Sequence, residues 1–543
     1  MKRYITILSV LLATIASFAQ VANDSINRMV LVESTYNPII AGAVKRNFTP
    51  EEVKPSMNKE AAVYADESMP LTQFKREAHP TQTMAVTPEK GMPGYAHFGM
   101  GNYTNIDGMA AYKFRFKESN ELALKGHING WNGNYLLPDY TKWHSYLYDM
   151  ALAADYRVSL GQASLSAGIN AAHYRYNYLT DSIADGATDA QKSNHLSAYI
   201  GIKGSAWEHY YYQANANYTY FDRSVYFAHK VPHSENHIHV DGSLSRDLYD
   251  WGMATVELRS DVLTYSGLSD YTNYFSLGIT PRWNYRLADF RFVSGFNLDF
   301  LGGNNMSRPV QMSPEFGINY IPSKLFSAEL TLDGGRDIHT FSSLYALSPY
   351  WASEQQLRPS YTFMNAHLSG HLRIIEGLHL NVGGGYKIVS DALFETAIDT
   401  LGTTYTGYTN HAAQVATADA SISYTHKDLV SVSAEGAYYY WMLKDNNYLL
   451  ARAPQIDANV EARVRIIPNL YTYTDLQLVV FNKTEEAPRE RAIINWSLGA
   501  NYALNKHFTF FLDAHNLLNR RHSYYAGYPS QGFNILAGAM FKF

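Results

Sequence analysis

Cysteine is absent from all 543 residues. That excludes disulfide frameworks, thiol nucleophiles, thiolate-held zinc and iron–sulfur clusters. A basic excess is missing too: 44 Lys and Arg stand against 49 Asp and Glu, and charged residues make up only 17% of the chain. Nothing is left over to neutralise a phosphate backbone, which argues against a nucleic-acid binder. There is no P-loop, no G-x-S-x-G and no H-E-x-x-H, so no enzyme is expected, although a site assembled from dispersed residues leaves no such mark. Beyond residue 19 the most apolar run is 437–443 (AYYYWML), far short of the ~20 residues a helical span needs.

The chain is rich in tyrosine: 44 Tyr outnumber 25 Phe and 8 Trp together, beside 36 Gly. At the amino terminus Lys2 and Arg3 precede an apolar run from Ile5 to Phe18, and Ser17-Phe18-Ala19 puts small residues at positions −3 and −1 of a cut before Gln20. This pattern predicts a secretory signal over 1–19. No Cys follows the cut, so no lipid anchor is expected there. An exported chain without a helical span is either soluble or a membrane β-barrel.

Periodicity separates these two. Along Ile-Asp-Ala-Asn-Val-Glu-Ala-Arg-Val-Arg-Ile, one face carries Ile456, Ala458, Val460, Ala462, Val464 and Ile466, and the other Asp457, Asn459, Glu461, Arg463 and Arg465. Period two makes a strand with one oily and one polar side. Phe533, Ile535, Ala537, Ala539, Phe541 and Phe543 repeat it at the carboxyl end, as do Leu378, Leu380, Val382, Tyr386 and Ile388. Soluble sandwich strands average ~5–6 residues, whereas these reach the ~9–11 of a tilted bilayer crossing. The prediction is an all-β transmembrane antiparallel barrel over 94–543 with about 22 strands, since 450 residues divided by 22 leaves ~20 for each strand and its connection.

Connections alternate in length. Short turns are expected at 118–120, 160–161, 322–323, 376–377, 427–428, 468–469 and 505–506, and longer polar loops at 132–142, 179–193, 224–234, 338–358, 392–410 and 520–530. That parity is expected of periplasmic turns and external loops. Clustered tyrosines, Tyr210-Tyr211-Tyr212, Tyr438-Tyr439-Tyr440-Trp441, Tyr471 and Tyr473, read as an interfacial girdle, with sugar-binding platforms as the sharper alternative.

The run Asp513-Ala514-His515-Asn516-Leu517-Leu518-Asn519-Arg520-Arg521, then Tyr528-Pro529 and a strand ending Phe541-Lys542-Phe543, resembles the last two strands of TonB-dependent receptors. The resemblance implies a 22-stranded barrel. Terminal aromatics Phe541 and Phe543 would then be read by the barrel-assembly machinery. That family normally has a plug domain roughly twice as long as residues 20–93. Here this segment is charged, holds Pro38, Pro50, Pro55, Pro70, Pro80 and Pro88, and is expected to form an extended arm or reduced plug. Within it Met29, Val30, Leu31, Val32 and Glu33 resemble a TonB box, the strip that pairs edge to edge with the energy-coupling protein. A strand docked in the lumen or on another partner fits the same residues.

A barrel this wide must be closed, by the arm, by inward loops such as 338–358 or 392–410, or by another protein. Glu257, Arg259, Asp261, Glu461, Arg463 and Arg465 are expected on the lumen face, paired with a filler or with each other. His229, His233, His237 and His239 lie within eleven residues, a candidate metal or haem site beside the plainer reading of solvated imidazoles. No organic cofactor is implied. The expected function is uptake of a polar solute across the cell outer membrane, coupled through a TonB-type protein. The alternative is a non-transporting scaffold that docks lipoprotein or assembly partners among outer-membrane lipid.

Overall fold

The computed structural model describes residues 92–543 except 118, 138–140, 181–189, 208, 227–229, 304–307, 353–355, 401 and 485–491. The expected signal segment 1–19, nearly all of the expected arm 20–93 with Met29, Val30, Leu31, Val32 and Glu33, and also His229, lie outside the described residues. Among those described, no helix is long and apolar enough to cross a membrane.

Among the described residues, twenty-three strands, numbered β1 to β23 in chain order, form one antiparallel sheet. Strand β1 (Gly94–Gly101) pairs with both β2 (Ile106–Lys117) and β23 (Asn534–Lys542), so the sheet closes on itself. Strand β5 (Ala163–Asn177) pairs directly with β7 (Ala190–Ala206). The two-residue β6 (Leu179–Thr180) pairs with β17 (Thr403–His426) instead. Removing β6 from the 23 leaves a 22-stranded wall, which abolishes free sheet edges.

The wall is apolar on the outside. In β19 (Pro454–Ile467), Val460, Val464 and Ile466 are exposed, while Arg463 faces inward within 3.9 Å of Glu461. The outer face of β23 exposes Ile535 and Phe541, with Phe533 and Phe543 flanking it, whereas Asn534, Leu536 and Met540 are buried inside. Large exposed apolar side chains in every sector of a closed barrel require a hydrocarbon surround. This is an outer-membrane barrel.

Backbone closure joins the chain ends of the wall: Gly94 N–H donates to Phe543 O (2.8 Å) and Phe543 N–H to Gly94 O (3.0 Å). At this seam a Cβ on Gly538 would lie 2.2 Å from Phe98 O. Backbone cannot give way there, so Gly538→Val is expected to lower the yield of closed barrel about tenfold or more. Heat-modifiable migration on detergent gels measures this.

The expected short turns fall at one end, with the barrel's terminal strands. Several expected loops at the opposite end are strand instead. Strand β3 (Asn120–Leu136) takes up much of 132–142, and β8 (Tyr210–Tyr226) and β9 (Lys230–Asp247) enter 224–234. Strands β16 (Leu378–Thr400) and β17 run through 392–410. Polar composition marks where a hairpin leaves the hydrocarbon, not where its ladder ends. Alternation also divides the tyrosine clusters: Tyr438 and Tyr440 are exposed outside, but Trp441 is buried inward, and Tyr471 and Tyr473 share the inner face with Arg465 and Arg463. Only alternate members can form a girdle.

Candidate functional site: a closed mouth above a polar lumen

Short turns face the periplasm in such barrels and the longer connections face outside. At the loop end the mouth is covered. In the ring of 22, β5 is the fifth wall strand and β17 the sixteenth, eleven apart and therefore diametrically opposed. Yet Thr403 and Thr404 of β17 pair with Thr180 and Leu179 of β6, which follows β5. The β16–β17 hairpin thus reaches across the opening. A register shift between Val389 and Ala392, with Asp391 at φ 53°, marks its departure from the regular wall.

Beneath this hairpin pack residues 338–352 of an earlier connection. Its helix Phe341–Leu347 starts at Thr340, whose side chain accepts from Ser343 N–H (3.1 Å), while Glu235 of β9 accepts from Phe341 N–H (2.9 Å). A carboxyl group at a helix start satisfies a donor that the helix itself leaves open. Phe341, Leu344 and Leu347 are buried against Phe221, Leu393 and Trp351. The segment then joins the hairpin through Thr406 N–H to Tyr350 O (3.0 Å) and Ala352 N–H to Thr406 O (2.9 Å).

The β22–β23 connection (β22 is Phe508–His515) completes the cover. Tyr528 stacks on Tyr350 at 3.7 Å between ring centres and donates to Thr404 O. Both rings belong to a buried cluster with Trp143, Tyr176, Tyr178 and Tyr405. Charged groups latch these loops to the wall and to one another. Arg223 of β8, 1% exposed, lies 4.1 Å above the Trp351 ring, and its Nη2 contacts Trp351 O (2.7 Å), Tyr178 Oη (2.7 Å) and Tyr176 Oη (3.1 Å). Glu395 accepts from Ala526 N–H (2.7 Å), and Arg452 donates to Ser523 O (3.2 Å) and Tyr524 O (3.0 Å).

Burial in this cover pushes the His522 imidazole from the ordinary 6.5 down to about 4. The folded loop therefore holds it neutral, while an opened loop protonates near 6.5. Closure keeps its full strength above pH 6.5 and weakens as pH falls toward 4. Hydrogen exchange over 516–533 is expected to accelerate in that window beyond its intrinsic pH dependence, and His522→Phe to remove the excess.

Below the cover the lumen wall is polar and self-paired. Asp261 accepts from His237 Nε2 (2.9 Å), His239 Nδ1 (2.6 Å) and Ser276 Oγ (2.9 Å), with Arg336 Nη2 at 3.9 Å, itself 3.6 Å from Asp299. Arg282 bridges Glu257 (2.9 Å) and Glu315 (2.5 Å). Arg465 pairs with Asp428. Of the four histidines singled out in the sequence, His237 and His239 come together, and Asp261 joins them with one ligand atom from each within 4.8 Å. His233 sits edge-on to Phe341 at 5.3 Å between ring centres, separated from His237 by four residues of strand, ~13 Å. The sequence marks Asp261 only as a lumen charge; its register with His239 supplies the partner. The two terminal aromatics Phe541 and Phe543 face outward, 5.3 Å apart.

No family model and no curated protein sequence matches the chain. Solved structures do. The chain is similar to the copper transporter OprC, at 11% identity over 83% of this chain and 80% of that one, with a TM-score of 0.63. It is also similar to the FrpB iron transporter from Neisseria meningitidis (10%, 83% and 82%, 0.65) and to the siderophore receptor PirA from Acinetobacter baumannii (10%, 83% and 80%, 0.63). The likeness is one of fold: this chain forms a 22-stranded outer-membrane barrel that resembles the barrel of TonB-dependent receptors.

Proposed function

We propose that the protein takes up a polar solute across the outer membrane, closed at rest by its own loops and opened through the arm 20–93 by a TonB-type energy-coupling protein. The carrying observation is the construction of the seal. It consists of the outer part of the β16–β17 hairpin with loop and side-chain contacts above a polar lumen, and none of these is a pairing between neighbouring strands of the ring, so it can open while the 22-stranded ladder stays intact. The fold shared with transporters and a receptor supports the reading.

The test compares cells whose protein lacks 27–40 with cells lacking the energy-coupling protein, in growth competition on a panel of single carbon and metal sources. The same source-dependent defect in both strains is expected. Unchanged growth, together with loss of a co-purifying lipoprotein from the deletion protein, would favour the scaffold instead.

One observation favours a second reading, a divalent metal as cargo or resident ion. The donor set of His237, His239 and Asp261 suits zinc or copper. Zinc titration should then give a site lost in His237→Ala; no such site would retire it.

A further inference from the structure

Between the β22–β23 connection and the inner face of β3 lies a cavity with about 690 Å³ of empty space including its open mouth. Six aromatic rings line it, among them Trp131, Tyr524 and Tyr525, together with Gln531, His522 and Ser530. Among the described residues, no carboxylate, lysine or arginine takes part in the lining.

Three side chains of this lining, Tyr135, His522 and Ser530, have shielded polar atoms without a protein partner. His522 is 4% exposed with both ring nitrogens unpaired, and the Ser530 hydroxyl oxygen is shielded and unpaired as well. Their neighbours show that pairing was available nearby. Gln531 exchanges hydrogen bonds with Asn105 in both directions at 3.0 Å, and Asn516 donates to Gln531 O and Arg520 O, both at 2.8 Å. A buried imidazole left unpaired inside an otherwise satisfied loop is costly, and such groups concentrate where something else binds.

We infer that this cavity is a binding site for an uncharged saccharide. The aromatic faces suit the apolar C–H side of a pyranose ring. His522 as a neutral imidazole offers one donor and one acceptor, and Ser530 a donor and two lone pairs, which matches neighbouring ring hydroxyls. The described lining carries no charged group, which tells against phosphate, carboxylate or a charged metal complex, each of which would be desolvated there without compensation. Trp131 and the Tyr524–Tyr525 pair are contributed by β3 and the connection respectively, so the site couples the loop to the wall. This inference rests on the uptake reading only for the fate of the sugar, not for its binding.

The test uses the purified full-length protein in a detergent without sugar headgroups, applied to an array of neutral, sialylated and sulfated oligosaccharides. Binding to one or more neutral members is expected, with Kd weakened tenfold or more by Trp131→Ala, by His522→Phe and by the milder Ser530→Ala, in variants that keep heat-modifiable migration. No binding at all, a preference for acidic members, or neutral binding indifferent to all three substitutions would overturn it. If sugar binds but deletion of 27–40 leaves growth unchanged on every source, the site stands and uptake falls. If growth on a source depends on the arm but no sugar binds, uptake stands and the site falls.

Discussion

Arg223→Ala is expected to open the mouth without unfolding the barrel. One nitrogen with two hydrogens is shared among Trp351 O, Tyr178 Oη and Tyr176 Oη, while the guanidinium plane covers the Trp351 ring. Charge-assisted hydrogen bonds contribute ~1.5–3 kcal/mol each, and a desolvated cation–π contact up to ~2. Set against the cost of burying a charge that has no carboxylate partner, a net loss of about 3 kcal/mol from closure is reasonable. That shifts the open-to-closed ratio on the order of a hundredfold. Planar-bilayer recordings should show frequent large openings where the parent is silent, and cells should become sensitive to vancomycin. Arg223→Lys, which keeps the charge but not the flat fork, should fall between. A silent, folded Arg223→Ala barrel would show that the seal does not depend on this latch.

Asp261→Ala should act on stability instead. The carboxylate is 4% exposed and receives His237, His239 and Ser276, with Arg336 beyond them. Removing it strands three donors and leaves buried Arg336 facing Asp299 alone. Breaking a buried charged network from one side costs about 3–5 kcal/mol. Urea unfolding in detergent should register that loss, and Asp261→Asn, which keeps an acceptor, about half of it. A loss below about 1 kcal/mol would mean that water in the lumen screens these groups as it screens surface pairs.

The wall was legible because its cause is local. Alternation of the kind that runs from Ile456 to Ile466 tells each side chain which face it takes, and β19 follows it. Closure was legible only as a need. Segment 338–358 was one of several candidates, and nothing along the chain announces that Glu235 meets Phe341 106 residues away, or Glu395 meets Ala526 131 residues away. The histidine cluster was half legible: parity puts His237 and His239 on one face, but Asp261 belongs to the next strand and enters through register. The polar stretch 392–410 misled, because residues beyond the hydrocarbon can continue a ladder without an oily face. His522 gave no signal at all, since an unpaired imidazole is defined by what surrounds it.

By itself, then, the order of residues determined that this chain makes amphipathic strands, how many, and which side of each meets lipid. Period-two alternation and turn spacing are properties of neighbours in sequence. Only the tertiary structure decided what the ring encloses: a hairpin spanning opposite walls, a helix held by Glu235, and an uncharged aromatic cavity. Those contacts join segments a hundred or more residues apart, so no pattern among neighbours in the sequence announces them.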